Sequence, residues 1–308
     1  MKYPFHRPQK RPVDILVKEA SMEKQEILDI LHEFEKEKNI RFLGIVENGP
    51  RIWGTAGIDS PHYVSAVYVS SREWYAKAAE EGKKHTPYGY RVNFADDQLC
   101  LIAADIALVT SQMKEGVPQA FEWFRSPCVL YSTPIWNRLT KRLEAAYDDR
   151  MVIRHFFCRA KNTNKVNKDK ESLKCFSYAP ILISLWCSKY VMENHTYPPT
   201  FSYDELMEME CEASEEVKQA LRDYKNQLTE SSSKTVIAPI PLIQDYINAE
   251  VARQKPIKEG IPVTPVKKPD LTSQFKEAAL RELWGNREAD GKKKKATGKK
   301  AGRSHGKK

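Results

Sequence analysis

The sequence has no C-x-x-C pair, no apolar run as long as a membrane-spanning helix needs, and no apolar segment behind its basic N-terminus. The first absence argues against a zinc site or a thioredoxin-like motif. The second argues against a membrane partner, and the third against a secretory signal. Most of the six cysteines lie in apolar stretches, where a free cysteine behaves as a small hydrophobe. We therefore expect a soluble, cytoplasmic protein.

The body of the chain also lacks an excess of positive charge, although the whole chain has a net charge of +9. Residues 286–308 hold eight Lys and two Arg against two acids, a net charge of +8, and residues 1–12 hold four basic residues and no acid. This leaves residues 13–285 with a net charge of −3. A nucleic-acid partner such as RNA is expected to bind the basic tail, whose lysines and arginines neutralise its phosphates. A solubilising tail without a partner is the alternative.

The N-terminal half alternates helix and strand patterns. Apolar residues recur at i, i+3, i+4 and i+7 between Ser21 and Asn39, which predicts a helix with one buried face. Clusters of β-branched and aromatic residues predict strands over Ile40–Glu47 and Tyr63–Val69. Two further segments are predicted to be helical: Leu99–Met113 and Gln119–Phe124.

From residue 133 onward the pattern is mainly helical. Thr133 followed by Pro134 is a helix start, with threonine as the N-cap and proline at the first helical position. A polar connector is predicted over Asn162–Ser172, and Pro180 is expected to kink or interrupt its helix. The predicted helices are Met151–Lys161, Leu173–Glu193, Tyr203–Glu210, Glu215–Leu228, Leu242–Arg253 and Leu271–Trp284.

This order predicts an α+β protein in which a mixed N-terminal domain is followed by a helical domain. No internal repeat is visible. In chain order, the predicted divisions are a flexible basic arm at 1–12, the α/β domain at 13–130, the helical domain at 131–254, a linker plus C-terminal helix at 255–285, and a disordered Lys-rich tail at 286–308.

Residues 46–54, Val-Glu-Asn-Gly-Pro-Arg-Ile-Trp-Gly, resemble the E-S-G-S-R-A-W-G signature of the RNA-ligase-associated nucleotidyltransferases. These form a family of the polymerase-β superfamily found in bacteria and tailed phages. Residues 59–64 lie where that family has D-S-D-Y-D-V, and residues 68–75 look like its Y-V-x-P-x-x-W-Y. Further similar segments follow in order at 121–127, 154–157, 160–162 and 198–199. The resemblance spans about residues 26–252, and the ordered series is more specific than any single motif.

The resemblance implies a polymerase-β-like nucleotidyltransferase domain, a mixed sheet with flanking helices, that works by two-metal phosphoryl transfer. A D-x-D pair on one strand and a third carboxylate on a neighbouring strand hold the cations there, and Mg²⁺ requires oxygen ligands. The positions that match D-x-D are Pro61 and Tyr63, and the third falls at or near Asn93, with Asp96 or Asp97 as alternatives. No catalytic residue is therefore expected.

The phosphate-binding turn of the family is altered as well. Gly49 remains, but Pro50 brings neither a hydroxyl nor an N–H donor. His62 is expected on the opposite side of the strand from the D-x-D positions, where it cannot replace them. In the helical half the family's K-K-Y-x-Y-x-L-R-P stretch lines up with residues 173–181, where Lys174 matches and the arginine is missing.

Three functions stay open on these residues. The favoured one is a degenerate, non-catalytic protein of nucleotidyltransferase fold that binds RNA, a nucleotide or a protein partner and needs no cofactor. The second is an active transferase acting on RNA ends, with Mg²⁺ at a rearranged site around Asp59 and Asp96 or Asp97. Asp59 before Ser-Pro reads equally well as a turn. The third is a phage or bacterial scaffold or host-interaction protein, in the host cytoplasm if phage-encoded. The nucleotide- or RNA-binding candidates are Gly49, Arg51, Trp53 and Lys174.

Overall fold

A computed structural model describes residues 22–81, 89–142, 148–260 and 271–285. The predicted basic arm at 1–12 and the predicted Lys-rich tail at 286–308 lie outside the described residues. The N-terminal half combines a sheet with six helices in the described ranges. Its elements are α1 (Lys24–Lys38), β1 (Ile40–Asn48), α2 (Pro50–Trp53), β2 (His62–Ser70), α3 (Arg72–Glu80), β3 (Tyr90–Phe94), β4 (Leu99–Asp105), α4 (Ile106–Lys114), α5 (Pro118–Phe124), β5 (Val129–Ser132) and α6 (Pro134–Lys141).

The sheet has five strands in the order β3-β4-β2-β1-β5. β1 runs antiparallel to β2 and to β5, whereas β4 runs parallel to β2 and antiparallel to β3. The predicted mixed sheet with flanking helices is therefore confirmed. β5 straddles the predicted domain boundary at residue 130.

The two faces of the sheet are covered by different parts of the chain. α1 covers one face with Ile27, Leu31 and Phe34, as its apolar spacing predicts, and these side chains pack in one cluster with residues of β1, β2 and β4. The helix ends at Asn39, which adopts the left-handed conformation common just after a helix. The other face packs against α4, α5 and α6 in a second, larger cluster that continues into the helical half.

The predicted helix over Leu99–Met113 is wrong in its first half. Residues Leu99–Asp105 form strand β4, and the helix begins only at Ile106, with the Asp105 carboxylate accepting a hydrogen bond of 2.8 Å from the backbone N–H of Ala107. Pairing with strands on both sides outweighs the helix propensity of leucine and alanine here.

The helical half consists of long helices around a two-stranded ribbon. The predicted connector at Asn162–Ser172 is wrong in its first part, since the helix α7 continues to Asn167. Pro180 does not kink a helix, because its helix begins one residue earlier and a proline fits the first turn. The elements are α7 (Asp149–Asn167), β6 (Leu173–Lys174), α8 (Ala179–Asn194), α9 (Tyr203–Glu210), α10 (Glu215–Thr229), β7 (Val236–Ile237) and α11 (Pro241–Glu259).

The last described helix, α12 (Leu271–Trp284), has the predicted bounds and packs back onto the N-terminal half. Arg72 Nη1 lies 3.2 Å from Glu277 Oε2, and the hydroxyls of Thr110 and Thr272 are 2.9 Å apart. α12 therefore belongs to the packing of the N-terminal half, although it follows the helical half in the chain. Among the described residues, no helix combines the length and apolarity needed to cross a membrane.

Candidate functional site

The turn that follows β1 forms the first part of the site. Gly49 has φ +70°, a conformation that residues with a side chain rarely adopt, and its carbonyl accepts a hydrogen bond of 3.0 Å from the Trp53 N–H. A Cβ atom at this position would lie 3.4 Å from Cβ of Tyr63. Pro50 occupies the first position of the one-turn helix α2, where no N–H is needed. The backbone thus explains why glycine and proline stand at this turn.

The two faces of β2 separate His62 from Tyr63. His62 is buried, and its Nδ1 atom lies 2.7 Å from Oε1 of Glu47. Its strand neighbour Val64 belongs to the cluster beneath α1, whereas Tyr63 stands on the alternate face towards the helical half. This confirms that His62 is on the opposite side from the positions that match D-x-D.

β2 lies between β1 and β4, and Tyr63 pairs with Asn48 on β1 and with Cys100 on β4. β3 lies outside β4, where Asn93 pairs with Cys100. Directly opposed residues of neighbouring strands share one face of the sheet, so these four form a row. The predicted third position at Asn93 is therefore wrong by one strand: on the two strands next to β2, the positions opposite Tyr63 are Asn48 and Cys100.

None of the residues at these positions offers an anionic oxygen. Pro61 has no ligand atom in its side chain. Burial raises the pKa of the half-buried Tyr63 phenol above its ordinary 10.0, and Cys100 and Asp59 raise it further. Burial likewise raises the pKa of the Cys100 thiol above its ordinary 9.0. Both groups are thus protonated near neutral pH, and this set does not fit the anionic oxygen ligands that Mg²⁺ requires.

Asp59 lies in the loop between α2 and β2 and joins the two halves of the molecule. Its Oδ2 accepts a hydrogen bond of 2.6 Å from the Ser232 hydroxyl, and its Oδ1 accepts one of 2.6 Å from the Ser233 N–H. The backbone approaches closely here, because a Cβ atom on Gly57 would lie 2.1 Å from the Ser231 carbonyl oxygen. Burial raises the pKa of Asp59, but these hydrogen bonds outweigh it and hold the pKa below the ordinary 3.8.

Asp59→Ala is expected to lower the free energy of unfolding by about 1 kcal/mol near neutral pH, because an exposed carboxylate that accepts several hydrogen bonds is lost. A lowered pKa in the folded state means that this stabilisation is present above pH 3.8 and is lost as the pH falls below it. Urea unfolding measured near neutral pH and again below pH 3.8 checks this. Asp169→Ala, which removes an exposed acid, is the control, and an equal loss in acid would contradict the assignment.

The four binding candidates lie on the two sides of this contact. Arg51 Nη2 donates to the Ser60 carbonyl oxygen at 2.9 Å, and Arg51 Nε lies 3.5 Å from Glu47 Oε1. Trp53 is partly buried and packs against the larger core. Lys174 is exposed on β6 of the helical half, where it pairs with Val236 of β7. The structure thus groups three candidates on one turn and places the fourth on the helical side.

The rearranged metal site considered above would need Asp96 or Asp97 near Asp59. Both belong to the turn between β3 and β4, where they are exposed and have positive φ values. Asp97 Oδ1 accepts a hydrogen bond of 2.8 Å from Nδ2 of Asn93. Across the described ranges, no three His, Cys, Asp or Glu side chains come together in a group that could hold a metal ion.

Sequence reasoning missed Cys100 and the two serines that bind Asp59. The alternation of Leu99, Cys100 and Leu101 is the signal that could have identified a strand and hence the third position. Nothing local marks Ser232 or Ser233, which lie more than 170 residues along the chain from their partner.

Comparison with known proteins gives three findings. A family model described as "RlaP: RNA repair pathway DNA polymerase beta family" matches residues 23–271. The uncharacterized protein YcgL of Bacillus subtilis (strain 168) is 24% identical over 266 residues, which cover 85% of this chain and 98% of YcgL. The crystal structure of a nucleotidyltransferase-like protein from Exiguobacterium sibiricum 255-15 is similar with a TM-score of 0.31 and 11% identity, over 75% of each chain.

Proposed function

This chain belongs to the RNA repair pathway DNA polymerase beta family, and from that membership we propose that it is a degenerate nucleotidyltransferase that binds RNA without transferring nucleotides. Binding uses the surface between the Gly49 turn and β6, on either side of the contact of Asp59 with Ser232 and Ser233, and we call this surface the cleft. The proposal places the protein in the cytoplasm, or in the host cytoplasm if a phage encodes it. It needs no metal ion for binding.

The observation that carries the proposal is the identity of three residues: Pro61 and Tyr63 at the positions that match D-x-D, and Cys100 opposite Tyr63 on β4. Two-metal transfer depends on carboxylates that neutralise the phosphates and activate the attacking oxygen. A proline, a neutral phenol and a neutral thiol supply neither function. The turn at Gly49 still presents backbone groups and Arg51 beside these positions, and the proposal assigns binding to them.

Basic side chains lie on both sides of the cleft, although Arg51 shares its charge with Glu47, 3.5 Å away. Arg51 is partly exposed on α2, and Lys174 is exposed on β6. Basic side chains bind the phosphates of RNA without reading its sequence. The family description, which names an RNA repair pathway, supports RNA as the polyanion.

The basic tail is proposed as a second, separate tether. The described chain reaches Gly285 just after Trp284, whose ring lies 4.5 Å from the Arg41 guanidinium at the start of β1. The turn at Gly49 follows the other end of β1, about 25 Å away at the rise of a strand. The tail therefore leaves the described structure at the end of the sheet remote from the cleft, and its contribution to binding is separable by truncation.

The test combines a transfer assay with a binding assay on the full chain. Labelled nucleoside triphosphate, an RNA oligonucleotide and Mg²⁺ or Mn²⁺ should yield no labelled RNA above the protein-free background. The same RNA, labelled with fluorescein, should bind in the absence of metal, with an affinity that falls steeply as salt rises. Transfer that Asp59→Ala abolishes would instead establish an active enzyme. Absence of both transfer and RNA binding would overturn the proposal.

A further inference from the structure

The last turns of α7 present lysines on one exposed face. Lys161, Lys165 and Lys168 follow the i, i+4, i+7 spacing that aligns side chains on one side of a helix, over about 10 Å. All three are exposed, while Asn164 and Asn167 on the same turns are buried. The lysine side chains therefore point to solvent and do not pack into the helical half.

This face continues towards the cleft. Residues 161–174 carry five lysines against two acids. The chain passes from α7 into β6, where Lys174 pairs with Val236 of β7. Lys234 lies just before β7, next to Ser233, whose N–H binds Asp59. We call these six exposed residues the α7 lysine surface: Lys161, Lys165, Lys168, Lys170, Lys174 and Lys234.

Cations on another helix of the same half are neutralised in place. On α10, Lys218 Nζ lies 3.5 Å from Glu215, Arg222 Nη2 lies 3.6 Å from Glu208, and Lys225 Nζ lies 3.0 Å from Asp204. Among the described ion pairs, one involves the α7 lysine surface: Lys168 lies 3.9 Å from its exposed neighbour Asp169. Since residues 13–285 have a net charge of −3, this concentration of cations with few acid partners is a local feature of the helical half.

We propose that the α7 lysine surface is the track along which the RNA backbone reaches the cleft. This inference rests on the proposed function and adds the path that the polymer takes. Lysine ammonium groups act as point charges that suit phosphates of any sequence. The surface ends beside the contact between Asp59 and Ser233, so a strand that lies along α7 arrives at the turn of Gly49.

The test compares two triple variants with the same change in net charge. Lys161→Gln, Lys165→Gln and Lys168→Gln together should weaken binding of a fluorescein-labelled single-stranded RNA about 100-fold near 0.1 M salt, with the slope of log K against log salt reduced by about 2. Lys218→Gln, Arg222→Gln and Lys225→Gln, on α10, should leave RNA affinity within about twofold, because those cations are already paired. Circular dichroism confirms folding of both variants.

The outcomes separate this inference from the proposed function. If both triple variants weaken RNA binding equally, net charge alone explains the effect, and the proposed track is overturned. Unchanged binding by the α7 variant, combined with loss on removal of residues 286–308, would overturn the track and leave RNA binding intact. If the unmodified chain binds no RNA, both proposals fail. They also fail if the α7 lysine surface binds an acidic protein partner and the chain binds no RNA.

Discussion

Gly44→Ala is expected to lower the free energy of unfolding by about 3 kcal/mol, because the core has no room for one more methyl group at this point. Gly44 is buried in the middle of β1, between β2 and β5. A Cβ atom there would lie 2.3 Å from two ring carbons of Trp136. That indole is itself 3% exposed and packs against Phe124 with ring centroids 4.4 Å apart, so it cannot move aside without disturbing α5 and α6.

Urea unfolding monitored by circular dichroism measures this loss. Gly260→Ala is the matched control, since Gly260 has φ −74° and a new Cβ atom would meet nothing closer than 3.5 Å. Its effect should stay within about 0.5 kcal/mol. In a double-mutant cycle with Trp136→Leu, the two changes should cost less together than the sum of their separate costs. Additive costs, or a Gly44→Ala variant as stable as the native chain, would show that the strand and α6 adjust freely.

Elements defined by local chemistry could be predicted from the sequence. α9 and α12 have the predicted bounds, because apolar periodicity and terminal residues agree. At the start of α6 the predicted N-cap is confirmed: the Thr133 hydroxyl oxygen accepts a hydrogen bond of 3.4 Å from the Trp136 N–H. The same hydroxyl donates to the Leu43 carbonyl oxygen at 2.6 Å, a contact with β1 across 90 residues of chain that no local pattern reveals.

Features that depend on partners distant in sequence were not predictable. The segment Leu99–Met113 joins a strand to a helix without a glycine or proline to mark the boundary. The resemblance to a family motif places the third carboxylate position at Asn93, and that segment forms β3, which does not pair with β2. In the sheet, β4 lies next to β2 and β3 lies outside β4, which reverses their order along the chain. The residues that pair with β2 therefore could not be found by counting along the sequence.

The candidate site also contains both kinds of feature: some follow from local sequence, and others depend on residues distant in the chain. Gly49 and the orientation of His62 follow from turn geometry and strand alternation, which are local. The exposure and sparse ion pairing of Lys161 and its neighbours depend on which acids fold nearby. A run of lysines in a sequence cannot show whether carboxylates neutralise it, and α10 and α7 differ in that respect alone.

Lys189 is the second position where a large effect is expected. It is 2% exposed, and its Nζ donates to the backbone carbonyl oxygen of Glu210 at 2.9 Å. The same Nζ lies 2.9 Å from the Glu212 carboxylate and 3.8 Å from that of Glu193. Lys189→Met keeps the length of the side chain but leaves the buried carboxylate of Glu210, 4.0 Å from Nζ, without its cation. We expect a loss of about 3–5 kcal/mol at neutral pH, measured by urea unfolding.

The pH dependence of that loss identifies its cause. Burial, reinforced by Glu193, raises the pKa of Glu210 from 4.5 to about 7, and Glu210 is 4% exposed. Because the folded state binds a proton more tightly than the unfolded state, stability should rise by about 2 kcal/mol as the pH falls from about 7 to 4.5. Glu210→Gln should remove most of this slope.

Loss of the Lys189 cation makes the charged form of Glu210 still less favourable, so the deficit of Lys189→Met should shrink as the pH falls towards 4.5 and Glu210 takes up its proton. Adding Glu210→Gln to Lys189→Met should recover part of the stability at neutral pH, because the buried charge is then absent. Lys36→Met is the control, since that lysine pairs at the surface with Glu33 and its loss should leave the free energy of unfolding nearly unchanged. A deficit that is the same at both pH values would mean that Lys189 stabilises the helical half through packing of its methylene chain.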